Sequence, residues 1–406
     1  MPSAKTIVAI SKVARPITQD TVHAAAAEVV SLAGGFESII RKGDTVVLKP
    51  NIFSPQMPPI TTDPRTVAAL VKLAWDAGAG DIIVAEERSI STAKYRKANN
   101  TTRACSEFIG MTQAVEAAGG RMVFMEEEEF VEVEVPGGKV FKKVRTPKIF
   151  LDCDVLINVP AMKIHSLTFV TLGIKNFHGI ISDEDKLFGH SYRELPAKLT
   201  DFFRVRKPDM TVISGIQGLE GDHAEEGTVV DMGLLIAGKD VVAVDAVTSA
   251  VMGFDPFEID TTRLAHEFGI GVGDLSEIEV KGESIESVRR PFRRPEIALD
   301  TELFPGLKII AGDICRSCEY YTRRGLDKLK DVGYFDGENE LTIVLGKEPP
   351  VPEKLDGKVI MLGDCCMRSE SVRRLRDHLL LEGRLQLVFQ CPPMQFRIRA
   401  VEMVGE

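Results

Sequence analysis

The sequence predicts an α/β protein: an open, mostly parallel sheet with helices on both faces, plus a smaller C-terminal α/β domain carrying clustered cysteines. Three observations lead there. Short apolar runs that end in polar residues recur along the chain, a capped amphipathic helix separates two of them, and five of the seven cysteines follow Pro305. Apolar runs of strand length are what parallel strands covered on both faces look like. Strand, helix and strand within about forty residues make a βαβ unit with a right-handed crossover.

Taken in order, "TIVAISKV" near the N-terminus reads as a first strand, with no cleavage pattern of a signal peptide. "DTVVLKPN" (44–51) is a buried strand with a polar end. "TTDPRTVAALVKLAWDAGAG" is a helix that Thr62 or Asp63 can cap. Pro64 suits its first turn, Val67, Leu70, Val71 and Ala74 share one face, and Gly78 supplies the stop. "DIIVAEE" (81–87) is the next strand. Residues 126–145 combine an acidic run, a solvated face, with a hairpin at the sheet edge. "DVLINVPAMK" (154–163) holds a strand that Pro160 ends, leaving "KIHS" as a rim; "DMTVISGIQGLEG" (209–221) and "VVDMGLLIAGKD" are further strands, and "DVVAVDAVTSAVMGF" is a small-residue helix stopped by Gly253.

The character changes near Pro305, which divides the chain into domains 1–305 and 306–406. Beyond it "ELTIVLG", "KVIMLGD" and "RLQLVFQC" are short strands and "SESVRRLRDHLLLEG" is a helix. A net charge of -10 argues against a nucleic-acid partner, which calls for a basic face. No apolar run is long enough to span a membrane. Cysteines without an export signal suggest a reducing compartment, the cytoplasm, where clustered thiols are more often metal ligands than disulfides.

In an open parallel sheet, ligands bind beyond the carboxyl ends of the strands. Here those ends carry Lys49 and Asn51, Glu86 and Glu87, Lys163 and His165, then Glu220, Asp222 and His223. Loops are polar in general, but charge at strand end after strand end indicates a polar cleft. In "AMKIHSLTFVTLGIKNFHG" (161–179) a Thr-rich apolar segment carries Lys163, His165, Lys175 and His178. Burying such cations is costly without partners, so they are read as lining a site for a small anion. His165 is a candidate for proton transfer, and Lys175 for binding a carboxylate or attacking a carbonyl. Lys49, Asn51, Lys163, Asn176, Glu220 and Asp222 are the candidate ligand-binding residues. His178 and His190 read as ordinary surface or core histidines.

The pieces "VVLKPN", "TTDPRTVAALV", "DVLINVPAMKIHSLTFVTLGIKNFHG" and "GLLIAGKDVVAVDAVTSAVMGFDP" resemble the domain-of-unknown-function family 362 over roughly residues 5–290. That resemblance implies an association with iron–sulfur segments. "ITTDPRTV" and a His followed ten residues later by a Lys also resemble, more distantly, the amino-terminal domain of nickel-pincer lactate racemases. By that likeness His165 would transfer a proton and Lys175 would be the attachment lysine.

"DICRSCEYY", "GDCCMR" and "FQCPPM" place Cys315, Cys318, Cys365, Cys366 and Cys391 as candidate metal ligands. A C-x2-C pair can grip one metal or cluster, and Cys followed by Pro occurs in ferredoxin-type sites, which favours [4Fe–4S] over zinc. One of the vicinal pair is expected to be a ligand and the other a spare. The leading expectation is therefore an iron–sulfur redox protein with a cleft for a small anionic metabolite and an electron-transfer partner. A cofactor-dependent racemase or epimerase using His165 and Lys175, and a zinc-stabilised binding or assembly protein, are the rival readings.

Overall fold

The computed structural model describes residues 5–52, 54–86, 101–188, 193–222 and 226–405. Glu87, His190 and His223 lie outside them. The described chain forms two compact units. The first runs to Phe188 and from Glu194 to Arg294; the second takes Arg193 and everything from Pro295 onward. The sequence places the change in character near residue 305. The segment just before it belongs with the second unit because Arg323 and Arg324 donate to the carbonyls of Ala298 and Glu296, and Phe304 packs 5.4 Å from Phe335.

The first unit is built on β1 (Thr6–Lys12), β2 (Thr45–Lys49), β3 (Asp81–Glu86) and β4 (Arg121–Phe124). A hairpin follows, β5 (Phe130–Glu134) and β6 (Lys143–Pro147). Then come β7 (Val155–Asn158), β8 (Ala161–His165), β9 (Phe169–Thr171), β10 (Met210–Glu220), β11 (Thr228–Gly238) and β12 (Ile278–Gly282). Among the described residues the main sheet runs β12-β1-β11-β10-β7-β2-β3-β4, with β8 paired to β10 and β9 to β8. Most pairings are parallel; β11 runs antiparallel to both β1 and β10, and β9 to β8.

Helices cover both faces. The helix Pro64–Asp76 begins at Asp63, whose side chain accepts from the Arg65 amide, and buries Val67, Leu70, Val71 and Ala74 completely. Fully burying an aliphatic side chain contributes roughly 1.5–3 kcal/mol, so this stripe fixes the helix against β2 and β3. Gly78 ends it at φ +100, a conformation glycine adopts without a Cβ penalty. On the opposite face Val241–Val251, capped by Asp240, buries all eleven of its residues.

Pro160 ends β7 as the sequence predicts, because it cannot donate to the ladder, and the chain resumes as β8 further along β10. One expectation needs correction: the hairpin β5–β6 is a separate two-stranded sheet and not an edge of the main one. The buried Asp201 carboxylate holds its loop by accepting the amides of Lys139, Val140 and Phe141 at 2.7–2.9 Å.

The second unit is a four-stranded parallel sheet in sequence order: β13 (Leu307–Ala311), β14 (Leu341–Leu345), β15 (Lys358–Leu362) and β16 (Leu385–Val388). One face packs on Leu326, Leu329 and Phe396, the other on Val372, Leu375 and Leu379. Among the described residues no helix is long and apolar enough to cross a membrane.

Candidate functional site

Lys49 ends β2 and is 1% exposed. A lone buried ammonium would be intolerable, and it is not alone: Nζ donates to both oxygens of Glu86 at the end of β3, at 2.8 and 2.9 Å, and to the Pro50 carbonyl. Glu86 also accepts the Ile52 amide, tying the β2 and β3 ends together. Gly179 lies against this pair so closely that a Cβ there would sit 2.8 Å from Lys49 Nζ.

Asn176 occupies the junction of the network. Its Oδ1 accepts from Lys49 and from Asn51 Nδ2, and its Nδ2 donates to Asn158 Oδ1 at 2.8 Å and to the Lys49 and Pro50 carbonyls. Lys163 is 2% exposed and donates to Asn51 Oδ1 at 2.8 Å and to the Ile60 carbonyl. Asn51 and Asn176 thus work as internal scaffolding, with their polar atoms turned to other protein groups.

The four-residue helical turn Gly173–Asn176 carries Lys175. The turn is pinned at its start by Asp245, whose two carboxylate oxygens accept the amides of Gly173 and Ile174 at 2.7 and 2.9 Å. Burial pushes the Asp245 carboxyl up to about 7 even against those two amides. The sequence signal for this anchor is a carboxylate inside the mostly apolar run "VVAVDAVTSAV".

Lys175 lies at the hub of a set of lysines. Burial, then the charges of Lys49 and Lys186, lowers it to about 8. Burial and the Lys175 charge lower Lys163 to about 7, with Lys49 adding to the effect and Glu86 opposing it. Burial and Lys175 likewise lower Lys198 to about 7, with Lys186 adding and Asp185 and Glu194 opposing. Lys186 and Lys198 are not among the residues that the sequence singles out. Their signal is weak: Lys198 falls on the buried face with Leu195, Leu199 and Phe202, where a charged residue is out of place.

His165 closes β8 two residues after Lys163, so the two side chains leave the strand on the same face. Its Nδ1 accepts the amides of Leu167 and Thr168 at 3.1 and 3.3 Å. Those bonds orient the ring and place the proton of the neutral form on Nε2. Glu220, at the far end of β10, is engaged elsewhere. Burial alone would raise its carboxyl, but Arg293 and Arg290 bind it at 3.0 Å and hold it below the usual range. That pairing makes Glu220 a clasp for the 290–293 segment and not a group offered to a ligand. Asp222 is buried beside it in sequence, its amide donating to the Glu220 carbonyl. His178 is buried near the Phe202 ring.

In the second unit the cysteines emerge from carboxyl ends of parallel strands. Cys315 and Cys318 follow β13 and open the helix Arg316–Asp331, Cys365 follows β15, and Cys391 follows β16. Cys315 interacts with Cys318, Cys318 with Cys365, and Cys365 with Cys391. Gly363 turns the chain from β15 toward Cys365 at φ +86, a conformation glycine adopts without a Cβ penalty. The Cys318 thiol and the amides of Cys318 and Ser317 hold the Cys315 thiol down at about 6, with the Arg193 charge adding. The Cys318 and Cys391 thiols, with the Cys366 amide, draw Cys365 down to about 3. Cys318 and Cys391, donating in return, are pushed up.

Cys366 leaves the set. Consecutive residues at a helix start point apart, and its thiol turns toward the Val344 carbonyl in the opposite-face core, where burial pushes it up to about 12. Cys105 and Cys153 are buried in the first unit. As the side chains stand, no group of three or more His, Cys, Asp or Glu among the described residues is arranged to hold a metal ion. The four thiols are hydrogen-bonded to one another instead.

Comparison with known proteins adds the family. A thylakoid-associated protein of Synechocystis sp. is 28% identical over 249 residues, 58% of this chain and 72% of that protein. The lactate racemase apoprotein of Thermoanaerobacterium thermosaccharolyticum aligns over 99% of this chain and 91% of its own at 11% identity and a TM-score of 0.40. A Thermotoga maritima protein of known crystal structure aligns over 97% and 84%, at 12% identity and a TM-score of 0.38. The model of the domain of unknown function DUF362 matches residues 46–250, which cover β2 to the helix Val241–Val251 with the whole lysine network, and this chain belongs to that family.

Proposed function

We propose that the protein is a redox protein whose second unit holds a [4Fe–4S] cluster on Cys315, Cys318, Cys365 and Cys391. Its first unit then binds a small anionic metabolite at the lysine set. The observation that supports the first part is the meeting of four thiols from three strand ends. Two of them are already disposed toward thiolate, and amide N–H groups point at their sulfurs. Cluster ligation requires thiolates, and hydrogen bonds to the sulfurs tune such a site. The S–H···S bonds now linking the cysteines are those that ligation would replace. When bound, the group would supply one-electron chemistry; the chain's part is to gather the thiolates and place the Arg193 charge beside them.

Purification without oxygen tests this. Equal iron and sulfide with broad visible absorption is the expected result. Cys315→Ser, Cys318→Ser, Cys365→Ser and Cys391→Ser should each lose most of the iron, while Cys366→Ser keeps it. Full iron retention in the Cys315→Ser/Cys391→Ser double variant would sink the assignment. Stoichiometric zinc in a colourless protein would make the site structural.

For the anion site, the supporting observation is a buried excess of basic groups: five lysines linked electrostatically through Lys175, with Glu86 paired to Lys49 and Asp183 to Lys186 among the described residues. Phosphate or a short carboxylate should raise the unfolding temperature of the native chain, because a ligand bound to the folded form adds stability. Lys175→Met should abolish that shift without lowering basal stability, since it removes a cation its surroundings disfavour. An undiminished shift in this variant would remove Lys175 from the site.

A further inference from the structure

Of the lysines in the cluster, four are anchored. Lys49 is bound to Glu86, Lys163 to Asn51 and the Ile60 carbonyl, and Lys186 pairs with Asp183 at 3.6 Å. Lys198 is bound to the carbonyls of Lys186 and Phe188. Lys175 differs. It keeps partial contact with solvent, and its amine has no hydrogen-bond or ion-pair partner among the described residues. Its backbone, by contrast, is held on both sides, by Asp245 before it and by the Asn176 network after it. A fixed turn presenting an uncommitted amine between cations is the environment in which a lysine becomes a nucleophile, because its neighbours disfavour the protonated form. The amines of Lys163 and Lys198 lie within its electrostatic reach, and a carboxylate bound beside them would draw them to the charged form that holds it.

We propose that Lys175 forms an imine with the carbonyl of a small 2-oxo acid whose carboxylate is held by Lys163 and Lys198. This rests on the anion-site reading and extends it. In the step, the neutral amine nitrogen of Lys175 attacks the carbonyl carbon, forming a C–N bond and a carbinolamine. Loss of the former carbonyl oxygen as water leaves the C=N bond, which takes up a proton. The carbon next to the imine then becomes acidic, because electrons released there are drawn into the protonated nitrogen. The depressed proton affinity of Lys175 supports this role, since much of the amine is neutral near pH 8.

The test uses the full chain, pyruvate as probe and cyanoborohydride as the reductant that delivers hydride to any imine carbon. Peptide mapping should find the reduced adduct on Lys175, formed at least roughly tenfold faster than on the exposed Lys354. Acetone, which lacks the carboxylate, should label Lys175 several-fold more slowly. Lys163→Met and Lys198→Met should each raise the pyruvate concentration needed for half-maximal labelling. Labelling of Lys175 no faster than Lys354 overturns the proposal, and equal labelling by acetone overturns the carboxylate contact. Pyruvate that raises the unfolding temperature yet leaves no adduct rejects the imine while the anion site stands. Neither a shift nor an adduct rejects both.

Discussion

Glu86→Ala should destabilise the first unit by about 3–5 kcal/mol, the cost of stranding a buried cation whose partner is removed. The Lys49 ammonium would be left with the Pro50 carbonyl and the Asn176 amide oxygen in a position that water does not reach. The Ile52 amide would lose its acceptor as well. A Lys49→Met/Glu86→Leu pair should recover most of the loss, because two apolar groups of similar shape need no counter-charge. The single tryptophan, Trp75, lies in the first unit and reports its unfolding in urea. A Glu86→Ala cost below about 1 kcal/mol would mean that solvent reaches Lys49 and that the pair is not the bolt between β2 and β3.

Raising the pH from 7 toward 10 should stabilise the same unit. Lys163, Lys175 and Lys198 hold their protons less tightly folded, near 7, 8 and 7, than at their ordinary value of 10.5. Across that window the unfolded chain binds more protons than the folded one, so unfolding free energy rises with pH, by at most about 1.4 kcal/mol per pH unit for each group. The penalty returns in full as pH falls through the folded values. The groups that face these lysines are Lys49, Lys186, Glu86, Asp183, Asp185 and Glu194. Urea midpoints followed at Trp75 should climb in the native chain and flatten in Lys163→Met/Lys175→Met/Lys198→Met. Saturating phosphate should flatten them too, by stabilising the charged forms. A native slope no steeper than that of the triple variant would show that the lysines are solvated.

The elements of this protein were legible in its sequence because each is specified within a few residues. Asp63, Pro64 and Gly78 bound a helix by local hydrogen bonding and backbone geometry, and Val67, Leu70, Val71 and Ala74 mark its buried face by spacing alone. Apolar runs such as "TVVLK" and "DIIVAE" can only be strands covered on both sides. The polar strand ends were equally visible, and with them Lys49, Glu86, Lys163 and the separated cysteines.

Which of those groups meet was decided by strand order and by loops that return from far along the chain. Glu220 stands at a strand end like Glu86, yet one carboxylate takes a buried lysine and the other takes Arg290 and Arg293, 70 and 73 residues on. Lys198 joins the lysine set across sequence from Lys163 and Lys175, with nothing local but its buried position to announce it. The "CC" pair reads as two equivalent thiols. The start of the helix Asp364–Arg368 sends Cys365 to the other strand ends and Cys366 into the opposite core. Periodicity encodes the face a residue takes on its own element, but the partner across the gap is set by long-range packing, which no local pattern records.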